Sequence, residues 1–234
     1  MRPSLKSQAA GMVPTYLGWL EVMICLLACA LMIPKAKATT VSGFEAWQQA
    51  EISQRLEYNL SAMLEAENRI LSFSPYWVYN EVVPQLLWRY SPRYDFTAGM
   101  EFSSWRYPGS QMIGYQPFVD TRIKWSGGRW SFSSRQRFQT GSMGGSYVAM
   151  FRQLSRFQYQ IPGFSNRLSL YAADEWFFYF VTGGLTENRA FAGGAYQLNS
   201  SINLELYAVL QTFSNNFGLS GNLPGVGIKA IYSF

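Results

Sequence analysis

There is no histidine in this chain, and only two of its 234 residues are cysteine. Without histidine the Ser-His-Asp arrangement of hydrolases cannot be assembled. Both cysteines, Cys25 and Cys29, fall within the first 38 residues. The rest of the chain therefore has no thiol for a disulfide framework or a zinc site. Charge is scarce too: Asp, Glu, Lys and Arg make up 14%, where a soluble domain carries about 25%. The body of the chain has no run of roughly 20 apolar residues, the length a spanning helix needs. These absences leave no cofactor or metal to expect and argue against an enzyme. A membrane enzyme that works without histidine is the remaining catalytic alternative. What the chain has in plenty is aromatic residues, at 17%. Low charge, many aromatics and no long apolar run together suit a membrane β-barrel, in which outward apolar and inward polar residues alternate.

Residues 1–38 read as a cleaved signal peptide. Arg2 and Lys6 give a basic start, and an apolar stretch runs from Val22 to Ile33. About a dozen residues is too short to span a bilayer. Ala36-Lys37-Ala38 then forms an A-x-A cleavage site. Removing this segment takes four basic residues (Arg2, Lys6, Lys35, Lys37) and one acid (Glu21), which lowers the net charge from +5 to +2. The basicity thus belongs largely to the leader, and no nucleic-acid partner is expected.

Beyond the leader the dominant pattern has period two, as in strands with one apolar face. Phe96, Ala98, Met100 and Phe102 alternate with Thr97, Gly99 and Glu101. Tyr115, Val119, Ile123 and Trp125 share a face opposite Gln116, Asp120, Arg122 and Lys124. Ile202, Leu204, Leu206, Ala208 and Leu210 alternate with Asn203, Glu205 and Tyr207. Short turn signals at 91–93, 126–129, 162–166 and 199–201 alternate with longer glycine-rich stretches at 107–114, 141–146, 182–187 and 214–225. That matches the short periplasmic turns and long extracellular loops of outer-membrane barrels. Trp77, Trp88, Trp105, Trp125, Trp130 and Trp176 lie near strand ends, where such barrels carry aromatic girdles.

The expected fold is all-β: an antiparallel up-and-down transmembrane barrel over residues 58–234. Ten strands counted from Leu60 satisfy the even parity of bacterial barrels. Residues 39–57 are either a periplasmic lead-in or an extra strand, since Ala50, Ile52, Leu56 and Tyr58 continue the alternation. An extra strand would need a partner, making twelve. The last strand places Ile228, Ala230, Tyr232 and Phe234 on one apolar face and ends on the aromatic. It resembles the C-terminal recognition strand that the barrel-assembly machinery reads during insertion. Location in a Gram-negative outer membrane, in contact with its lipid, follows from leader and barrel together.

Several short motifs carry a family resemblance. They are Glu67-Asn68-Arg69, Ser134-Arg135-Gln136-Arg137-Phe138, Phe151-Arg152 with Arg156, and Asp174-Glu175 with Phe177. Glu187-Asn188-Arg189 and Gly193-Gly194-Ala195-Tyr196 complete the set. With these the chain resembles the uncharacterised outer-membrane family known as domain of unknown function 2490. The resemblance implies a barrel fold and an outer-membrane location, and no activity.

If the apolar faces meet lipid, the polar faces line a lumen. Arg122, Lys124, Arg135, Arg137, Arg152 and Arg156 fall on three consecutive strands, and Arg189 lies further on. Rings of Arg or Lys select anions in pores, so these residues are candidates for binding a small anionic solute. Glu65, Glu67, Glu101, Asp120, Glu175 and Glu205 are the acidic partners on the same faces. Buried charges need partners, so the competing expectation is a salt-bridged plug in a structural barrel whose extracellular loops meet partners. Asp174 and Glu175 are adjacent on a strand and point to opposite faces, so they cannot act as a carboxylate pair.

Overall fold

The computed structural model describes residues 43–71, 78–107, 109–163, 167–180, 184–214 and 220–234. The signal peptide, its cleavage site and Trp77 lie outside the described residues. Among the described residues there are eleven strands: β1 (Glu45–Arg55), β2 (Leu60–Leu71), β3 (Val78–Arg89), β4 (Tyr94–Tyr107), β5 (Ser110–Gly127) and β6 (Trp130–Met143). They continue as β7 (Ser146–Gln160), β8 (Leu168–Tyr179), β9 (Gly184–Gln197), β10 (Ile202–Ser214) and β11 (Ser220–Ser233). They close into one barrel in chain order, with β1 beside β11.

The strand count differs from both expectations, ten and twelve. Residues Glu45–Arg55 do form the extra strand, whereas Leu56 and Tyr58 sit in the following turn. No twelfth strand among the described residues accompanies it. β1 instead pairs in parallel with β11, from Glu45 opposite Gly225 to Ser53 opposite Ser233. A closed ring with an odd number of successively antiparallel strands must break the alternation once. A parallel pair still satisfies every backbone group, only with slanted hydrogen bonds. The barrel is therefore mixed at one seam and antiparallel elsewhere.

The connections also differ from expectation. Within the described residues the glycine-rich stretches read as long loops are mostly strand, and 108, 182–183 and 215–219 lie outside those residues. β6 and β7 are joined by Gly144 and Gly145 alone, with φ of +59° and +83°, the pair of left-handed residues a tight type I′ hairpin requires. β4 and β5 are joined by two residues, and β11 starts at Ser220 rather than after Gly225. Polar rim residues such as Gln111 and Ser142 weaken the alternation near strand ends, which made them resemble loops. Between the described strands no intervening stretch exceeds seven residues at either end, so its length does not distinguish the two ends.

The period-two pattern has the expected consequence. Val82, Leu86, Phe102, Val119, Leu206, Val226 and Ile228 are exposed on the outside. Trp88, Tyr90 and Phe96 cluster with centroids 5.6–6.2 Å apart near the Phe234 end, and Trp130 packs on Tyr159 at 4.6 Å at the same end. Trp105 departs from the girdle: it packs tilted on the buried lumenal Tyr79, centroids 4.4 Å apart. The apolar core lies inside the barrel, where Trp47, Tyr171, Ala195, Tyr207 and Val209 pack with Phe191. Tyr207 has glycine on both neighbouring strands, Gly193 and Gly227. A Cβ on Gly193 would sit 2.5 Å from the Leu206 carbonyl oxygen, so only glycine leaves room for this close approach.

Candidate lumenal site

The inward set of each strand builds the lumen. Three polar cavities adjoin one another along it. At the Phe234 end a cavity of about 440 Å³ is lined by Ser126, Ser131, Gln158, Ser169, Asn203 and Ser233, among others. It shares Ser126, Ser131 and Gln158 with a second of about 660 Å³, bounded also by Arg122, Lys124, Arg156 and Glu205. The second shares Arg122, Ser133, Arg156 and Glu205 with a central cavity of about 300 Å³.

Charge around the central cavity is divided by strand. Arg122, Arg135, Arg137, Arg152 and Arg156 come from β5, β6 and β7, while Glu51, Glu65, Glu67 and Glu81 come from β1, β2 and β3. In the closed order of strands, β1 lies opposite β6, so the two sets face each other across the lumen. Each wall also contains counter-charges. Arg137 donates to Asp120 at 3.0 Å, the two aligned on adjacent strands. Glu175 is the hub of the basic side. Its Oε1 accepts from Arg135 at 2.9 Å and from Arg152 at 3.1 Å, and its Oε2 lies 3.7 Å from Arg189. Arg152 also donates to Glu101 at 3.2 Å. On the acidic side Arg69 bonds Glu67 and Lys229 pairs with Glu51 at 2.8 Å. Lys124 pairs with Asp95 at 2.8 Å nearer the Phe234 end.

Aromatic rings support the arginines. Arg137 lies over Phe118 at 3.6 Å, Arg156 over Tyr171 at 3.7 Å and Arg69 over Trp47 at 3.8 Å. Phe177 lies under both Arg189 and Arg152, at 4.3 and 4.6 Å. Cation–π contacts of this kind strengthen as the site is desolvated. They hold the guanidinium planes in fixed orientations.

The cations expected in the lumen, Arg122, Lys124, Arg135, Arg137, Arg152, Arg156 and Arg189, all have places on its wall. So do Glu65, Glu67, Glu101, Asp120, Glu175 and Glu205. The acids are not segregated from the bases, since Glu175, Glu101, Asp120 and Glu205 each pair with an arginine. Arg122 alone among the β5–β7 cations has no ion pair among the described residues. The Nε atoms of Arg135, Arg152 and Arg156 are buried without a hydrogen-bond acceptor.

Some lumenal groups escaped the sequence reading. Gln116 and Gln139 are fully buried. Gln139 donates to Gln116 at 2.9 Å and to Glu101 at 2.8 Å. Both lie on inward faces but are uncharged, so the pattern of charge along the chain does not single them out. Trp47 was hidden in the segment of uncertain assignment. Ile228, Ala230, Tyr232 and Phe234 lie on the outer face, with the Tyr232 and Phe234 rings in edge contact at 4.5 Å.

A family model described as "Protein of unknown function (DUF2490)" matches residues 44–218, three-quarters of the chain. No curated protein matches. A solved structure titled "NanC porin structure in rhombohedral crystal form" aligns over 82% of this chain and 99% of its own, at 12% identity and a TM-score of 0.49. The chain belongs to the family described as Protein of unknown function (DUF2490).

Proposed function

We propose that this family member is an outer-membrane barrel whose lumen binds or passes small charged solutes, anions among them. The observation that carries this reading is Arg122. It sits where the central cavity joins the cavity leading toward the Phe234 end, and among the described residues no carboxylate pairs with it. The buried Nε–H groups of Arg135, Arg152 and Arg156 add unmet donors on the same wall. An unsatisfied buried donor costs about 1–3 kcal/mol, which an acceptor entering the lumen would recover. Acidic groups on the facing wall favour a solute that also carries a positive or hydroxyl-bearing part. The outward apolar face and the aromatic cluster near one end support membrane insertion.

A second reading is favoured by the Gln116–Gln139–Glu101–Arg152 network, which ties one level of the barrel together with side-chain hydrogen bonds and leaves Gln116 Nε2 and Arg152 Nε without acceptors. In that reading the lumen is plugged and the barrel is structural. Both readings are non-enzymatic, and among the described residues no group of acids is placed to hold a metal ion. Single-channel conductance of refolded residues 39–234 in a planar bilayer separates the two. Steady openings with anion preference, reduced in Arg122→Ala, support the solute pathway. A folded barrel that stays silent and binds no anion overturns it in favour of the plug.

A further inference from the structure

Among the described residues, the outer surface breaks its apolar pattern at mid-height in one patch. Gln136 on β6, Gln153 on β7 and Thr121 on β5 lie in one row of paired residues. Ser134, Ser155 and Asp174 form the next row. All six alternate with lumenal neighbours such as Arg135, Leu154 and Glu175, so they point outward. Gln153 is the central residue of β7. Aromatic residues flank the rows on both sides: Phe132 packs on Phe157 at 4.6 Å, and Phe151 lies 6.5 Å from Phe178. These polar groups therefore stand at mid-height, where a membrane is hydrocarbon. Another outward amide pair, Asn68 with Asn80 at 2.8 Å, sits within three residues of its strand ends, at the height of headgroups.

Neighbours satisfy part of this patch. Thr121 donates to Gln136 at 3.2 Å, Gln136 donates to Ser134 at 2.6 Å, and Asn188 and Trp176 both donate to Asp174. Gln153 is exposed and makes no hydrogen bond among the described residues. An amide left in hydrocarbon without partners is costly. Its donors and acceptor are met together when another amide faces it, because each carries both. Small outward residues adjoin the patch. Ala190 and Ala192, opposite Asp174 and Ala172 on the neighbouring strand, present little side chain there, which leaves room for a second backbone.

On the reading that this barrel lies in a membrane, we infer that the outward face of β6–β8, centred on Gln153, is the contact with a second copy of this chain. The interface is two-fold and isologous, so Gln153 of one copy faces the same patch on the other. The opposite wall, with Ile52, Leu64 and Val82 outward, stays against lipid.

Cysteine cross-linking in the cell tests this. Cys25 and Cys29 are replaced by serine, and Gln153→Cys is compared with Leu64→Cys after oxidation of intact outer membranes. The expected result is a linked species of twice the chain mass, at least ten-fold more abundant for Gln153→Cys. In mild detergent Gln153→Leu is expected to lower the dimer-to-monomer ratio at least ten-fold while the barrel keeps its heat-modifiable mobility. Equal linkage at both sites, no linkage in a heat-modifiable barrel, or linkage of Gln153→Cys to a different protein each overturn the self-contact. Absence of the chain from the outer-membrane fraction overturns the membrane reading and this contact with it. A silent barrel in conductance measurements bears on the solute pathway and leaves the dimer result unaffected.

Discussion

Arg156 on β7 reaches over two strands to Glu205 on β10 and bonds it with both ends of its guanidinium, Nη1 to Oε2 at 3.1 Å and Nη2 to Oε1 at 3.0 Å. Such a fork is the strongest form of an arginine–carboxylate contact. It ties together strands that share no backbone hydrogen bonds. Glu205→Gln leaves Arg156 charged over Tyr171 with a neutral partner. Breaking a buried pair costs about 3–5 kcal/mol, and Arg156 is a quarter exposed, so the loss should fall near or below about 3 kcal/mol. The urea midpoint of the refolded barrel checks this.

Glu175 holds three arginines, and nothing else on its strand could replace it. Glu175→Gln should destabilise the barrel by about 3–5 kcal/mol, because three cations lose their common anion. The double variant Glu175→Gln with Arg135→Leu should recover part of that loss. Recovery absent from the double variant would argue against repulsion as the cause.

Trp47 closes the seam strand. It is 2% exposed, lies under Arg69, and meets Phe191 and Tyr207 edge-on at 6.0 and 6.5 Å. Trp47→Ala should cost about 3–5 kcal/mol through the cavity it leaves. The same change at Trp125, exposed on the outer surface, should leave the urea midpoint nearly unchanged.

Gly193→Ala tests the packing of Tyr207. The new methyl would meet the Leu206 carbonyl at 2.5 Å and Tyr207 Cβ at 2.7 Å. Overpacking of this kind costs about 1–3 kcal/mol. Gly194→Ala, whose nearest neighbour would lie at 3.7 Å, should be tolerated, so paired unfolding curves give a direct comparison.

Arg122→Ala should reduce anion-over-cation preference in single-channel recordings by up to about five-fold, because a unit charge at 4 Å is worth about 1 kcal/mol in water. Arg137→Ala instead strands the buried Asp120 and should appear first as lost stability.

Alternation along the chain decided which residues face inward, because a strand turns each successive side chain to the opposite side. Arg122, Arg135, Arg152, Glu175 and Glu205 were legible for that reason, and so was the outward Ile228–Phe234 face. Asp174 was legible only as pointing away from its neighbour Glu175. Its mid-height place emerged only once neighbouring strands were in register.

What alternation could not decide is which strands become neighbours. Parity alone argued against admitting Glu45–Arg55 as a single extra strand, and closure through a parallel seam is a property of the whole ring. Pairings across the lumen were equally hidden. Arg156 and Glu205 lie 49 residues apart, and Arg152 and Glu101 lie 51 apart. The sequence by itself determined an alternating, cysteine-poor chain able to close on a polar interior. Only the tertiary structure decided strand number, the seam and the partner of each buried charge, because these depend on barrel closure, which brings distant strands within reach of one another.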